Sequence, residues 1–254
     1  ASLIGGASLK RQLEKLKKSP NVIVGTPGRV SELIKQKKLK MHEVKTVVLD
    51  EGDQLLTNEH EKTVAEIIKS TLADRQVVLF SATLPIHTEQ SAKGFMKDPV
   101  TVKIKQDSHV KSQVQHVYFM SEQRDKIKIL EKLSRLDHFK GLVFMTDIGN
   151  LQVAVEKLRY NRIPVLMLHS DLAKQEREAN LKQFREGDKE MLLVTDIAAR
   201  GLDIKGVTHV VHFDFPKNLE QYIHRSGRTG RFGAEGTVIS IINDREEREL
   251  KKYG

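Results

Sequence analysis

Between residues 113 and 242 short apolar runs alternate strictly with helix-length amphipathic stretches. Residues 113–119, 141–145, 164–168, 190–195, 208–213 and 236–242 read as strands, and the segments between and after them carry apolar residues at helical spacing. A strand reached through a helix returns parallel to its predecessor, and a run apolar on both faces must be covered on both. The chain is therefore expected to be α/β, with parallel sheets flanked by helices. In such open sheets ligands bind beyond the carboxyl ends of the strands. Polar clusters fall at those ends: Thr146, His169-Ser170-Asp171, Thr195-Asp196 and Asp214.

The first hundred residues carry a similar pattern. Leu9, Leu13 and Leu16 at helical spacing, ringed by Lys10, Arg11, Lys15, Lys17 and Lys18, predict a basic surface helix ended by Pro20. Residues 21–24 read as a short strand, and Gly25-Thr26-Pro27-Gly28 as a tight turn into a helix that carries Val30, Leu33 and Ile34. That turn is either only a turn or a phosphate seat built from helix N-terminal amides. Thr46 to Leu49 then runs into Asp50-Glu51-Gly52-Asp53. Three carboxylates in four residues repel one another unless a cation or hydrogen bonds offset the charge. The segment is either an acidic loop or a magnesium site, with Asp50 holding the ion through water and Glu51 polarising an attacking water. Residues 77–80 repeat the apolar pattern and end in Ser81-Ala82-Thr83, whose hydroxyls are expected to donate to Asp53. Residues 106–111 turn polar and read as a linker between domains at 1–105 and 112–254.

The formal charge is +9, and its excess is shared between residues 1–110 and the remainder, so no basic tail accounts for it. That balance suits a polyanionic partner. No cysteine is present, so disulfide frameworks and thiolate zinc sites are excluded. No apolar run has the length of a membrane span, and the N-terminal residues do not read as a signal peptide; a soluble cytoplasmic protein without membrane attachment is expected. The absence of any Gly-x-Gly-x-x-Gly turn argues against a dinucleotide oxidoreductase.

The stretch Tyr222-Ile223-His224-Arg225-Ser226-Gly227-Arg228-Thr229-Gly230-Arg231 interleaves three arginines and a histidine with residues too small to cover them. It reads as a surface that presents charge to phosphate, with Arg228 and Arg231 at the end of a helix. Together with Thr26-Pro27-Gly28-Arg29, Asp50-Glu51-Gly52-Asp53, Ser81-Ala82-Thr83 and Thr195-Asp196-Ile197-Ala198-Ala199-Arg200-Gly201-Leu202-Asp203, in this order, it resembles the DEAD-box family of ATP-dependent RNA helicases. The resemblance covers essentially the whole chain. It implies two RecA-like domains that ATP, magnesium and RNA draw together. Asp50 and Glu51 would serve the metal and the attacking water, Ser81 and Thr83 would couple hydrolysis to strand separation, and Gly201 and Asp203 would hold the nucleotide, Asp203 through its ribose. Arg228 and Arg231 would be arginine fingers, and His224 would tie their loop to the other domain. Gly5, Gly6, Thr26, Gly28, Arg29, Thr146, Arg177 and Thr195 would grip the RNA sugar-phosphate backbone without reading sequence.

Three departures from the family pattern stand out. Gly52 replaces the usual alanine, which is expected to change little beyond local backbone freedom. Lys174 replaces the usual glutamine three residues before Arg177, which is expected to strengthen a phosphate contact at the loss of a specific hydrogen bond. The phosphate-binding pattern Gly, four residues, Gly, Lys, Ser or Thr occurs nowhere in the 254 residues, so the first domain is expected to be incomplete, its P-loop part absent, and the chain inactive as an ATPase. Expected besides are a monomer and, as the rival function, an RNA clamp that does not hydrolyse ATP.

Overall fold

The computed structural model describes every residue except 58, 104–112, 188, 189, 200, 201, 203 and 254, and the side chain of Phe232. The chain forms two compact units that divide between residues 104 and 105. The linker expected at 106–111 lies outside the described residues.

In the first unit, β1 (Ser2–Leu3) leads to α1 (Leu9–Leu16), β2 (Val24–Gly25) and α2 (Pro27–Lys35). Then follow β3 (Thr46–Leu49), α3 (Gly52–Leu55), α4 (Glu61–Lys69), β4 (Gln76–Leu79) and α5 (Ile86–Phe95). Strands β1 and β2 pair in parallel, as do β3 and β4, giving two small sheets among the described residues. Strand β2 is shorter than the expected 21–24 run. Pairing begins only at Val24, where its N–H meets the Ala1 carbonyl at 2.8 Å, and β1 is too short to give a sequence signal. The core of this unit is Leu49, Leu56, Val64, Ile68 and Ala92, with Leu79 packed against it.

The second unit runs β5 (Val114–Met120), α6 (Lys126–Leu133), β6 (Gly141–Phe144), α7 (Ile148–Tyr160), β7 (Val165–Leu168), α8 (Lys174–Glu186), β8 (Met191–Val194), α9 (Asp196–Ala199), β9 (His209–His212), α10 (Leu219–Ser226), β10 (Gly236–Ile242) and α11 (Asp244–Leu250). The strands form one parallel sheet in the order β5-β10-β9-β6-β8-β7, with every described pairing in register. The alternation of strand and helix thus builds the layered sheet that the apolar runs predict. Odd-numbered residues of β6 to β8, such as Val143 and Leu193, pack with Leu151 and Leu158 of α7 on one face. Even-numbered ones, such as Phe144 and Val194, pack with Phe184 of α8 and Tyr222 of α10 on the other. Each such fully buried aliphatic or aromatic side chain contributes roughly 1.5–3 kcal/mol of burial.

One strand breaks the pattern of burial. Strand β5 is as apolar as the others, yet Val117, Tyr118, Phe119 and Met120 remain 39–47% exposed, because β5 is an edge strand that pairs with β10 alone. Because all six strands point the same way, their carboxyl ends share one rim, and the segments that leave this rim carry the residues considered next.

Candidate nucleotide and nucleic-acid site

In the first unit, β3 delivers Asp50 and Glu51 to its carboxyl end. Glu51 has φ 52° and ψ 53°, a left-handed conformation that costs a non-glycine residue roughly 1–2 kcal/mol. It turns the chain directly into α3. Asp50 is exposed, and its Oδ1 accepts the Glu51 N–H at 3.0 Å. Asp53, at the second position of α3, is only 1% exposed. Its carboxylate accepts the Thr83 hydroxyl, and its backbone N–H donates to Ser81 Oγ at 3.1 Å. The two hydroxyls that follow β4 therefore hold Asp53 from both ends, with Ser81 acting as an acceptor where a donor to the carboxylate was expected.

Gly52 departs from expectation. A Cβ there would lie 2.6 Å from Leu79 Cγ and Cδ1 and 2.8 Å from Cδ2, so the Leu79 side chain fills the room a methyl would need. The glycine is a packing requirement of this chain as well as a matter of backbone freedom.

The segments that follow β1 and β2 also meet. Arg29 Nη1 reaches the Ala7 carbonyl at 3.4 Å, Gln12 Nε2 donates to the carbonyls of Ile4 and Ala7, and Arg29 Nε pairs with Glu32 at 2.9 Å. The Gly5-Gly6 turn, with Gly6 at φ 71°, thus sits beside Thr26, Gly28 and Arg29. Pro27 opens α2 at its first position, and Thr26 and Gly28 are exposed.

In the second unit, Arg225 corrects the sequence reading. Although the small residues around it suggest a displayed charge, it is 2% exposed. Its Nε and Nη2 grip Asp196 at 2.7 and 2.6 Å, its Nη1 donates to the Asp214 carbonyl at 2.7 Å, and the guanidinium lies 5.1 Å from the Phe144 ring centroid. Helix α10 ends at Ser226, so Arg228 and Arg231 stand on the turn beyond the helix. There Arg228 Nη1 donates to the Leu202 carbonyl at 3.0 Å and Arg231 Nε to the Gly227 carbonyl at 2.7 Å. Buried Thr229 donates to the carbonyls of Val207 and Thr208, which anchors the turn between the two arginines. Gly230 is required here: its φ is 64°, and a Cβ would fall 2.1 Å from Val114 Cγ2. Gly201 and Asp203 lie outside the described residues.

Along the rim of the sheet, Thr146 after β6 donates its N–H and its hydroxyl to Asp214 Oδ2 at 2.7 and 2.9 Å. Arg177 on α8 donates to the Ala198 carbonyl at 3.3 Å, which joins the segments after β7 and β8. Thr195 and His169 are both nearly buried, and neither Thr195 Oγ1 nor either ring nitrogen of His169 has a partner among the described residues. Lys174 is exposed and lies 3.6 Å from Glu178, a weak surface pair.

Beneath α10 lies a buried polar layer that the sequence does not announce. His116 Nδ1 and the Tyr222 hydroxyl are 2.7 Å apart, and His212 Nδ1 and Ser240 Oγ 3.2 Å apart. Complete burial, reinforced by the Arg225 guanidinium, holds the His212 pKa well below the ordinary 6.5. Burial also lowers Lys126, against the pull of Glu246 and Asp214, and its ammonium donates to the Phe213 carbonyl at 2.8 Å. Asp196, Asp214 and Arg225 are the positioning residues that sequence reasoning did not assign. The available signal was an acid directly after each of two buried strands, which requires a cation nearby.

Among the described residues no helix is long and apolar enough to cross a membrane, and no group of three His, Cys, Asp or Glu side chains is placed to hold a metal unaided.

This is an α/β protein with parallel sheets flanked by helices, its phosphate-directed and acidic residues gathered where the strands end. The sequence matches the family description DEAD/DEAH box helicase over residues 1–92 and Helicase conserved C-terminal domain over residues 125–233. It is 53% identical over 252 residues to the Probable ATP-dependent RNA helicase YfmL of Bacillus subtilis, covering 99% of this chain and 67% of that protein. To the DEAD-box ATP-dependent RNA helicase CshC of Bacillus cereus it is 48% identical over 253 residues, covering 100% and 65%. The solved structure described as S. cerevisiae Dbp5 bound to RNA and ADP BeF3 matches with a TM-score of 0.81 at 29% identity, over 100% of this chain and 67% of that one. The chain belongs to the DEAD-box family of ATP-dependent RNA helicases, and its architecture is that of their RecA-like domains. It spans about two thirds of the length of these relatives.

Proposed function

We propose that this chain is the part of an ATP-dependent RNA helicase that binds RNA and completes the hydrolytic site, with residues 1–105 belonging to the first RecA-like domain and 112–254 forming the second. It works as a cytoplasmic monomer on RNA backbones of any sequence. The observation that carries the reading is buried Asp53, held by Thr83 and Ser81 directly behind the exposed Asp50 and Glu51. A clamp that only holds RNA has no use for a carboxylate pair braced in this way.

The donor set at Asp50 and Glu51 fits magnesium, a hard ion that takes one or two carboxylates and fills its shell with water and phosphate oxygens. When bound, the ion would neutralise charge on the phosphates. Glu51, thrown outward by its left-handed backbone, orients the attacking water. The Arg228 and Arg231 side chains lie on a turn anchored by Thr229 and offer planar forks that stabilise charge spreading over the transferred phosphoryl oxygens. Thr26, Gly28, Arg29, Thr146, Arg177 and Thr195 meet the RNA backbone at the strand ends, Asp203 and Gly201 hold the nucleotide, and His224 links the finger segment to the first domain.

The test is RNA-stimulated phosphate release. The 254 residues contain no Gly-x-x-x-x-Gly-Lys pattern to seat the phosphates, so alone they should bind RNA without turnover. Fused behind a segment that bears a P-loop, they should hydrolyse ATP. In that fusion Glu51→Gln and Arg228→Ala should each lower turnover by ~10³-fold, the low end for an arginine finger. Turnover unaffected by either change would refute the assignment.

A further inference from the structure

Thr146 is exposed at the end of β6, yet both of its donors are committed. Its N–H and its hydroxyl converge on one oxygen, Asp214 Oδ2, at 2.7 and 2.9 Å. An ionised carboxylate only accepts, so the hydroxyl proton must point at Asp214. What Thr146 shows to solvent is the lone-pair side of Oγ1. The arrangement is held from behind: Lys126 donates to the Phe213 carbonyl at 2.8 Å and Arg225 to the Asp214 carbonyl at 2.7 Å. The backbone that carries the carboxylate is therefore pinned on both sides by buried cations.

A residue with acceptors alone cannot bind a phosphate oxygen, and the Asp214 charge behind it opposes one. The sugar-phosphate backbone of RNA has one donor, the ribose 2′-hydroxyl, which DNA lacks. We infer that Thr146 is a specificity-determining residue that accepts a hydrogen bond from a ribose 2′-hydroxyl, with Asp214 as the positioning residue that fixes its polarity. The inference rests on the RNA-binding reading above and refines it: at this position the chain reads the sugar, and the phosphates are left to its cations and free amides.

The test compares fluorescence anisotropy titrations of the 254-residue protein with a short labelled oligouridylate and its 2′-deoxy counterpart at low salt. The bases are identical, so base donors cancel. Thr146→Ala should weaken the ribose strand by roughly 3- to 10-fold, one hydrogen bond's worth, and leave the deoxy strand unchanged. Thr146→Ser, which keeps the hydroxyl and its bond to Asp214, should keep the wild-type ratio. Asp214→Ala frees the N–H and hydroxyl to donate to phosphate, so the deoxy strand should bind more tightly and the ratio fall. Equal weakening of both strands by Thr146→Ala, or an unchanged ratio, overturns the inference and leaves the proposed function standing. Failure of the wild-type protein to bind either strand overturns both.

Discussion

Restoring alanine at position 52 should destabilise this protein, although the substitution looks favourable on every local ground. Gly52 lies in the first turn of α3, and Gly→Ala at a compatible site ordinarily stabilises by ~0.4–1 kcal/mol through the unfolded chain. Here the new methyl would stand 2.6–2.8 Å from three Leu79 carbons, against an optimal carbon separation of roughly 3.5–4.0 Å. The main chain cannot retreat easily, since the Gly52 N–H is bound to the Phe80 carbonyl at 2.9 Å. Leu79 in turn packs on the core of the first unit. Overpacking of this kind costs ~1–3 kcal/mol, so the net effect of Gly52→Ala should be a loss of ~1–2 kcal/mol. Leu79→Ala removes all three colliding carbons, and in that background the sign should reverse, with Gly52→Ala stabilising by ~0.4–1 kcal/mol. Because the chain has two units, urea denaturation should be followed through hydrogen exchange of the β3 and β4 amides, which reports on the first unit alone. Stabilisation by Gly52→Ala in the wild-type background, or no reversal beside Leu79→Ala, would refute the steric argument.

Three further outcomes are expected. Arg225→Met leaves Asp196 uncompensated and should cost ~3 kcal/mol in urea unfolding of the second unit, the low end for a broken buried pair because Asp196 is a quarter exposed; adding Asp196→Leu should recover most of it. Burial depresses the pKa values of His212, His116 and His209, so the unfolded chain takes up protons below about pH 6.5 that the folded unit refuses, and melting temperature should fall as pH drops from about 7 through the folded-state values. His212→Asn should shallow that slope, and a flat profile would contradict the account. Gly230→Ala adds a left-handed strain of ~1–2 kcal/mol to its collision with Val114, so Val114→Ala should rescue only the collision, as a double-mutant cycle in urea would show.

The strands of the second unit were legible because buried parallel strands are apolar on both faces and end abruptly in polar residues, as Phe144 and Met145 give way to Thr146. The acidic and hydroxyl clusters could be placed at strand ends for the same reason, and the Thr83 bond to Asp53 followed from donor and acceptor chemistry. Arg225 was not legible. An arginine among small residues looks the same whether it faces solvent or a buried aspartate, and only the packing of α10 over Phe144 decides. Ser81 reversed its expected role because a hydroxyl both donates and accepts. The two-residue β1 carries too short a pattern to detect, and nothing in β5 itself marks it as an edge, since that depends on which strand arrives beside it.

That last strand has a consequence for how the chain is made. The sole neighbour of β5 is β10, about 120 residues later, so a ribosome adding ~5–20 residues each second leaves β5 without its partner for roughly 6–24 s. For that interval Val117, Tyr118, Phe119 and Met120 form an apolar ribbon with unsatisfied amides, waiting on the last strand to be synthesised. The nascent chain is therefore most vulnerable to misassociation just before its end, and a pause late in translation would prolong the exposure.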